Sequence, residues 1–203
     1  MTWVALYIDF IVWIRSNYIE FCAALFSIIG VWLTTKQIIW CWPVALAGLL
    51  LYAYIFFYSQ IYLQAILQIF YIAMTLYGWY NWIHGGENSS ELKISRLKGK
   101  ESLIYFITWL IFSLIFGYLF NRYTQDPLPW LDSLTSVCGI ITTYLMAKKI
   151  LENWIIWIVN DIIVVGICFY QKLYISSVLY IIFIILAIYG FIEWRKELIK
   201  IKS

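Results

Sequence analysis

The chain has 203 residues, of which 64% are hydrophobic, 21% aromatic and only 12% charged, with a formal net charge of +3 and a mean hydropathy of +0.84. Soluble domains average about 45–50% apolar and about 25% charged residues, so a soluble globular protein is excluded, as is a nucleic-acid binder, which needs an extended basic surface. The composition is that of an all-α integral membrane protein whose main partner is the lipid bilayer.

In chain order, "WVALYIDFIVWI" (3–14) is too short to cross a bilayer and carries Asp9, which predicts a helix lying in the interface. It has neither a positive n-region nor a small-residue cleavage site, so it does not read as a secretory signal. Seven apolar stretches near the ~20 residues of a membrane span follow, at 18–35, 38–58, 62–83, 102–120, 131–149, 153–171 and 174–194. Two polar connections stand out: "HGGENSSELKISRLKGKE" (84–101), and "NRYTQDPLPW" (121–130), whose two prolines mark a turn. The expected organisation is an interfacial helix (1–17), a first three-helix unit (18–83), a cytoplasmic loop with a linker helix (84–130), a second three-helix unit (131–194) and a basic cytoplasmic tail (195–203).

Basic residues set the orientation. If the loops alternate sides, one side holds Lys36, Lys93, Arg96, Lys98, Lys100, Lys148, Lys149, Arg195, Lys196, Lys200 and Lys202, and the other only Arg15, Arg122 and Lys172. The first side, with the 84–101 loop and the C-terminus, is expected to be cytoplasmic. One span more or fewer would scatter these charges over both sides.

The chain also repeats itself. A shift of 112 positions sets "YGWYNW" (77–82) over "YGFIEW" (189–194) and aligns Lys36 with Lys148, Trp42 with Trp154, and Tyr62 with Tyr174; 14 of the 52 positions from 31 to 82 match. Each unit holds three spans and one span lies between them, so the units must run parallel, as in SWEET-type transporters. The expected fold is therefore seven transmembrane helices in a 3+1+3 parallel-repeat, SWEET-like bundle, with a substrate site between the triplets near the midplane.

Polar residues mark that site. On the sixth span Asn153, Trp157, Asn160 and Asp161 share one helical face with Trp154 at its edge, and on the third span Gln64, Gln68, Tyr71 and Thr75 form a stripe. Trp40 and Trp42 stand near one end of the second span. An ionisable residue inside a membrane is costly and normally faces a cavity or a partner; polar stripes also hydrogen-bond helices together. The seventh-span positions matching Gln64, Gln68 and Tyr71 are Ser176, Tyr180 and Phe183, an asymmetry suited to an asymmetric ligand.

Other chemistries find little support. Cys22, Cys41, Cys138 and Cys168 lie scattered in apolar runs without metal-ligand spacing, so they read as buried thiols. The single His84 lies in a loop, and no carboxylate pair falls at helical spacing within a span. Neither an enzyme nor a bound cofactor or metal is expected.

The stretches "LENWIIWIVNDI" (151–162), "LAIYGFIEW" (186–194), "WCWP" (40–43) and "LLLYAYIFFYSQIYLQAILQIFYIAMTLYGWYNW" (49–82) resemble the PnuC family of bacterial B-vitamin transporters over roughly residues 20 to 196. That resemblance implies facilitated diffusion of a vitamin such as nicotinamide riboside across the bacterial inner membrane, with trapping by a cytoplasmic vitamin kinase. It places substrate contacts at Trp42, Gln68, Tyr71, Asn153, Trp154, Trp157 and Asp161. The chain departs from the family pattern at Cys41, where an Asn commonly precedes the Trp-Pro, and around Gln64, where relatives carry an acid. Thiamine, riboflavin and a cation-coupled mechanism stay open, as does a homo-oligomer. Gln64, Asn160 and Tyr180 complete the candidate site. A fixed cationic ring, as in nicotinamide riboside or thiamine, suits indole faces and a buried acid.

Overall fold

The computed structural model describes residues 18–58, 60, 62–125 and 127–202, without the side chains of 62–64 and 201–202. The interfacial helix expected at 3–14 lies outside the described residues. Seven α-helices and one short 3₁₀ turn lie among those described: α1 Tyr18–Thr35, α2 Cys41–Tyr58, α3 Tyr62–His84, the turn Glu87–Ser89, α4 Gly99–Tyr123, α5 Pro129–Ala147, α6 Asn153–Tyr170 and α7 Tyr174–Lys202. Continuous apolar runs make helices here because every backbone polar group must be satisfied within the segment once water is absent. Pro129 opens α5, where its missing N–H costs nothing. Among the described residues five helices are long and apolar enough to cross a membrane, and α3 and α5 are not among those five. Both carry buried polar side chains, Gln68 and Thr75 on α3 and Ser133, Thr135 and Thr142 on α5, as does α6 with Asn153, Asn160 and Asp161.

The 112-residue offset recurs in the structure. It relates both bounds of α2 to those of α6, the end of α1 to the end of α5, and the start of α3 to the start of α7. The connecting turns obey it too: Gln37 (φ 57°) pairs with Lys149 (φ 50°), and Gln60 (φ 62°) with Lys172 (φ 61°). A left-handed non-glycine residue is uncommon, so its recurrence at matched positions shows one turn design used twice.

Six helices pack as a closed ring in the order α1, α2, α3, α5, α6, α7 and back to α1, while α4 packs outside it on α5. Small and polar groups make the α4–α5 contact. Ser133 Oγ donates to the Ser113 carbonyl (3.0 Å) and Trp109 Nε1 to the Leu134 carbonyl (3.0 Å), and Gly117 leaves room for the Trp130 ring; helices in lipid associate by such close packing. Outward faces present Ile66, Ile69, Leu103, Ile104, Ile162 and Ile185, all exposed, as a lipid-facing surface requires. α4 outruns the apolar stretch 102–120 at both ends, and α7 continues past Trp194 through Arg195, Lys196 and Lys200.

One end of the ring is closed by a buried cluster of Cys41, Trp42, Trp82, Ile94, Ala147, Leu151, Trp154, Ala187, Trp194 and Leu198. Two T-shaped tryptophan pairs sit in it, Trp42–Trp82 (5.2 Å, 89°) and Trp154–Trp194 (5.3 Å, 88°), again 112 residues apart. Each of Trp42 and Trp154 rests on a glycine. A Cβ at Gly190 would stand 2.7 Å from the Trp154 ring, and one at Gly78 would overlap the Trp42 ring.

Candidate functional site

Inside the ring, below this tryptophan layer, α3, α5, α6 and α7 bring polar and aromatic side chains together. Tyr71 on α3 and Trp157 on α6 meet across Gly139 on α5: a Cβ there would stand 2.9 Å from the Tyr71 hydroxyl oxygen and 3.6 Å from the Trp157 ring. Asp161, one turn beyond Trp157, is buried at 3% exposure. Its carboxylate lies within electrostatic range of Cys138 on α5 and Tyr180 on α7, and the Tyr71 and Tyr52 hydroxyls lie within the same range of Tyr180. Tyr71, Trp157, Asp161 and Tyr180 thus face one region from three helices. Gln68, one turn from Tyr71, is also buried.

Several of these groups lack protein partners. Among the described residues the buried Nε1 atoms of Trp42, Trp154 and Trp157, Oε1 of Gln68 and Oδ1 of Asn153 accept or donate no hydrogen bond. No hydrogen bond to the side chains of Asn160 or Asp161 is found among the described residues either, though both are buried. Buried polar atoms are almost always paired, and leaving one unpaired costs about 1–3 kcal/mol. Of the unpaired atoms, Gln68 Oε1 on α3 and Trp157 Nε1 on α6 lie on the helices that carry Tyr71 and Asp161, whereas those of Trp42, Trp154 and Asn153 lie at the closed end of the ring.

The remaining candidates fall elsewhere. Trp42 and Trp154 belong to the tryptophan layer, 5% and 1% exposed, at the closed end of the ring. Asn153 sits at the same level, its Nδ2 donating to the Ile150 carbonyl at 2.6 Å. Trp40 points outward, and the Gln64 side chain lies outside the described residues. A cavity of about 250 Å³ between α3, α4 and α5 is lined by Phe70, Met74, Ile104, Tyr105, Ile140 and Tyr144 among others and includes none of the candidate residues.

Sequence reading missed Tyr52, Cys138 and Gly139. None is conspicuous in an apolar chain rich in tyrosine; only the run of small and hydroxyl residues from Ser133 to Thr143 on α5 hinted that this helix faces something polar.

Comparison with known proteins bears on this arrangement. Residues 17–196 match the family model described as nicotinamide mononucleotide transporter. The chain is 29% identical over 174 residues to the nicotinamide riboside transporter PnuC of Escherichia coli (strain K12), covering 73% of each chain. It is 28% identical over 171 residues to the riboflavin/roseoflavin transporter RibM of Streptomyces davaonensis, covering 78% of this chain and 76% of that one. Among solved structures, the crystal structure of the vitamin B3 transporter PnuC superimposes with a TM-score of 0.75 at 21% identity, over 97% of this chain and 88% of that chain.

Proposed function

The chain belongs to the nicotinamide mononucleotide transporter family, and from that premise we propose that it carries a cationic B-vitamin, nicotinamide riboside in the first place, by uniport. The family is one of transporters, not enzymes. The observation that carries the substrate reading is Asp161: a buried carboxylate one turn from Trp157 and within electrostatic range of Tyr180, where Trp157 and Tyr71 meet across Gly139 and Gln68 and Trp157 carry unpaired polar atoms. A pyridinium ring would lie against the indole and phenol faces, gaining about 0.5–2 kcal/mol from cation–π attraction. Its charge would be balanced by Asp161 where no water screens either ion. Gln68 and Asn160 offer amide groups to ribose hydroxyls or a carboxamide.

A flavin is the second reading, because one relative is titled a riboflavin/roseoflavin transporter. Its neutral ring would leave Asp161 without a counter-charge, which favours the cationic vitamin. The site as a whole we take to be Trp42, Gln64, Gln68, Tyr71, Asn153, Trp154, Trp157, Asn160, Asp161 and Tyr180, the midplane group contacting the ring and the tryptophan layer closing over it.

The six-helix ring, its 112-residue internal correspondence and the external α4 support a 3+1+3 parallel-repeat arrangement of the SWEET type, with all seven helices crossing the membrane. The excess of basic residues at the tryptophan-layer end supports the reading that this end, with the C-terminus, faces the cytoplasm across an inner membrane. Sparse intramembrane charge favours downhill transport, made unidirectional by a cytoplasmic kinase. Phosphorylation adds negative charge that an aromatic, acid-containing site rejects. Purified protein in sealed vesicles should equilibrate labelled nicotinamide riboside unchanged and without help from proton or sodium gradients; accumulation driven by either gradient would refute uniport.

A further inference from the structure

The two seams between the triplets, α1–α7 and α3–α5, carry the same tryptophan bond. Trp194 Nε1 donates to the Thr34 carbonyl (3.1 Å), and Trp82 Nε1 to the Met146 carbonyl (3.2 Å). Beyond that bond they differ. At α1–α7 the reinforcement is Lys36, whose ammonium donates to the Tyr189 hydroxyl and pairs with Glu193 at 3.2 Å. Both partners of that ion pair are about a third exposed, at 33% and 29%, and such pairs contribute little.

At α3–α5 the chain leaving α3 turns back and lies across the seam. Asn81 Nδ2 donates to the Ala147 carbonyl (2.9 Å). Leu92 N–H donates to the Trp82 carbonyl (3.1 Å), Ser95 N–H to the Lys149 carbonyl (3.0 Å) and Leu151 N–H to the Ser95 carbonyl (2.9 Å). Ile94 is buried in the tryptophan cluster. Glu152 fastens the far end: one carboxylate oxygen accepts Leu97 N–H at 2.8 Å and the other Arg96 Nε at 3.1 Å. The 92–97 segment is covalently part of the first triplet, while its partners 149–152 belong to the second. Among the described residues nothing matches it at α1–α7, where α7 runs on as a helix past the position at which α3 stops.

We propose that Glu152 is a positioning residue for transport: by fastening the 92–97 strap it makes α3–α5 the fixed side of the ring and leaves α1–α7, closed by Lys36, Tyr189 and Glu193, as the gate at this end. Separating the triplets at α3–α5 requires breaking the strap's backbone bonds and exposing Ile94. Separating them at α1–α7 requires losing one indole bond, the Lys36–Tyr189 hydrogen bond and a partly hydrated ion pair, with no backbone bond between the triplets there among the described residues. Glu152 also precedes Asn153 and Trp154 directly, so the strap holds the start of α6 in register with α3, the helix of Gln68 and Tyr71. The assignment of transport rests on the vitamin-carrier reading above.

The test uses two double variants in proteoliposomes, Lys36→Cys/Glu193→Cys and Arg96→Cys/Glu152→Cys, each joined by a short bifunctional thiol reagent. The single variants and the wild type are treated alike to account for the native cysteines. Joining the first pair should cut nicotinamide riboside uptake below a tenth. Before cross-linking, the second pair should show a KM raised at least fivefold with maximal rate within twofold, and joining it should restore KM to within twofold of wild type. An arrest of uptake by the strap cross-link, or uptake that survives the gate cross-link, overturns the proposal. Hydrogen–deuterium exchange of the wild type in nanodiscs needs no substrate: peptides over 34–41 should exchange faster than those over 92–97 and 148–154. The reverse order also overturns it, whereas the expected order without vitamin uptake by the wild type would fault the carrier reading alone.

Discussion

Trp82 and Trp194 meet at the centre of the closed end, their ring centroids 5.9 Å apart at 57°, and each donates its indole N–H to the last turn of a neighbouring helix of the ring, Trp82 on α3 to α5 and Trp194 on α7 to α1. Each accepting carbonyl takes a second bond from the turn that follows, Lys149 N–H on Met146 at 2.9 Å and Gln37 N–H on Thr34 at 3.0 Å. Removing one indole donor therefore leaves no carbonyl unpaired. Trp82→Phe and Trp194→Phe should each lower stability by only about 0.5–1.5 kcal/mol, as read by chemical unfolding in detergent. Trp→Ala at either site should cost about 3–5 kcal/mol through the cavity left behind.

Gly190→Ala should be more disruptive than a single methyl suggests. The new Cβ would press on the Trp154 ring, which is wedged between Gly190 and Trp194 and is 1% exposed, so overpacking should cost about 1–3 kcal/mol. Combined with Trp154→Leu, the loss should fall well short of the sum of the single losses, since residues in contact couple. Strict additivity would show that the two are not in contact.

Much of this was legible before any coordinates. The repeat could be read because both copies carry the same residues at the seams: a Trp that donates to a neighbouring helix (Trp82, Trp194), a Gly one turn earlier that receives a ring (Gly78, Gly190) and a Tyr directly before that Gly (Tyr77, Tyr189). The polar stripe on α6 was legible because Asn and Asp are conspicuous among Ile and Val. The strap was not. In 92–97 only Leu92, Ile94 and Leu97 are apolar, and a single bridge to Ile150 is decided by tertiary contact, not by local pattern. Lys149 shows the same limit: it counts as a loop cation, yet it lies 94% buried with its ammonium 4.4 Å from the Trp82 ring centre. That burial holds its ammonium below the usual lysine range. Nor does a tryptophan's residue type say whether it meets Tyr71 across Gly139, as Trp157 does, or fills the closed end, as Trp154 does.

Trp157 tests ligand contact against packing. If its ring lies against a cationic vitamin, Trp157→Ala should weaken binding by about 1–3 kcal/mol and Trp157→Phe by less, measured by calorimetry. Trp154→Phe should act mainly on stability. Equal affinities for the wild type and the Trp157→Ala variant would assign that indole to packing.

Gly139 should report on the size of the site. Gly139→Ala places a methyl 2.9 Å from the Tyr71 hydroxyl oxygen, so the end of the Tyr71 side chain must shift. Affinity for nicotinamide riboside should fall by about 1–2 kcal/mol, within the range of a small overpacking strain, and Tyr71→Phe in the same chain should recover part of it. Unchanged binding in the Gly139→Ala variant would place α5 outside the site.

The most direct test is calorimetric titration of the wild type and Asp161→Asn with nicotinamide riboside and with riboflavin. The expected result is binding of the cationic vitamin by the wild type, with at least a tenfold loss in the Asn variant, about 1.4 kcal/mol, and no matching change for the neutral flavin. The melting temperature of the variant should not fall, because Asp161 holds no hydrogen-bond partner among the described residues. An Asn variant that binds nicotinamide riboside as tightly as the wild type but melts well below it would contradict the assignment, making Asp161 a structural residue and leaving the cationic-vitamin site without its charge.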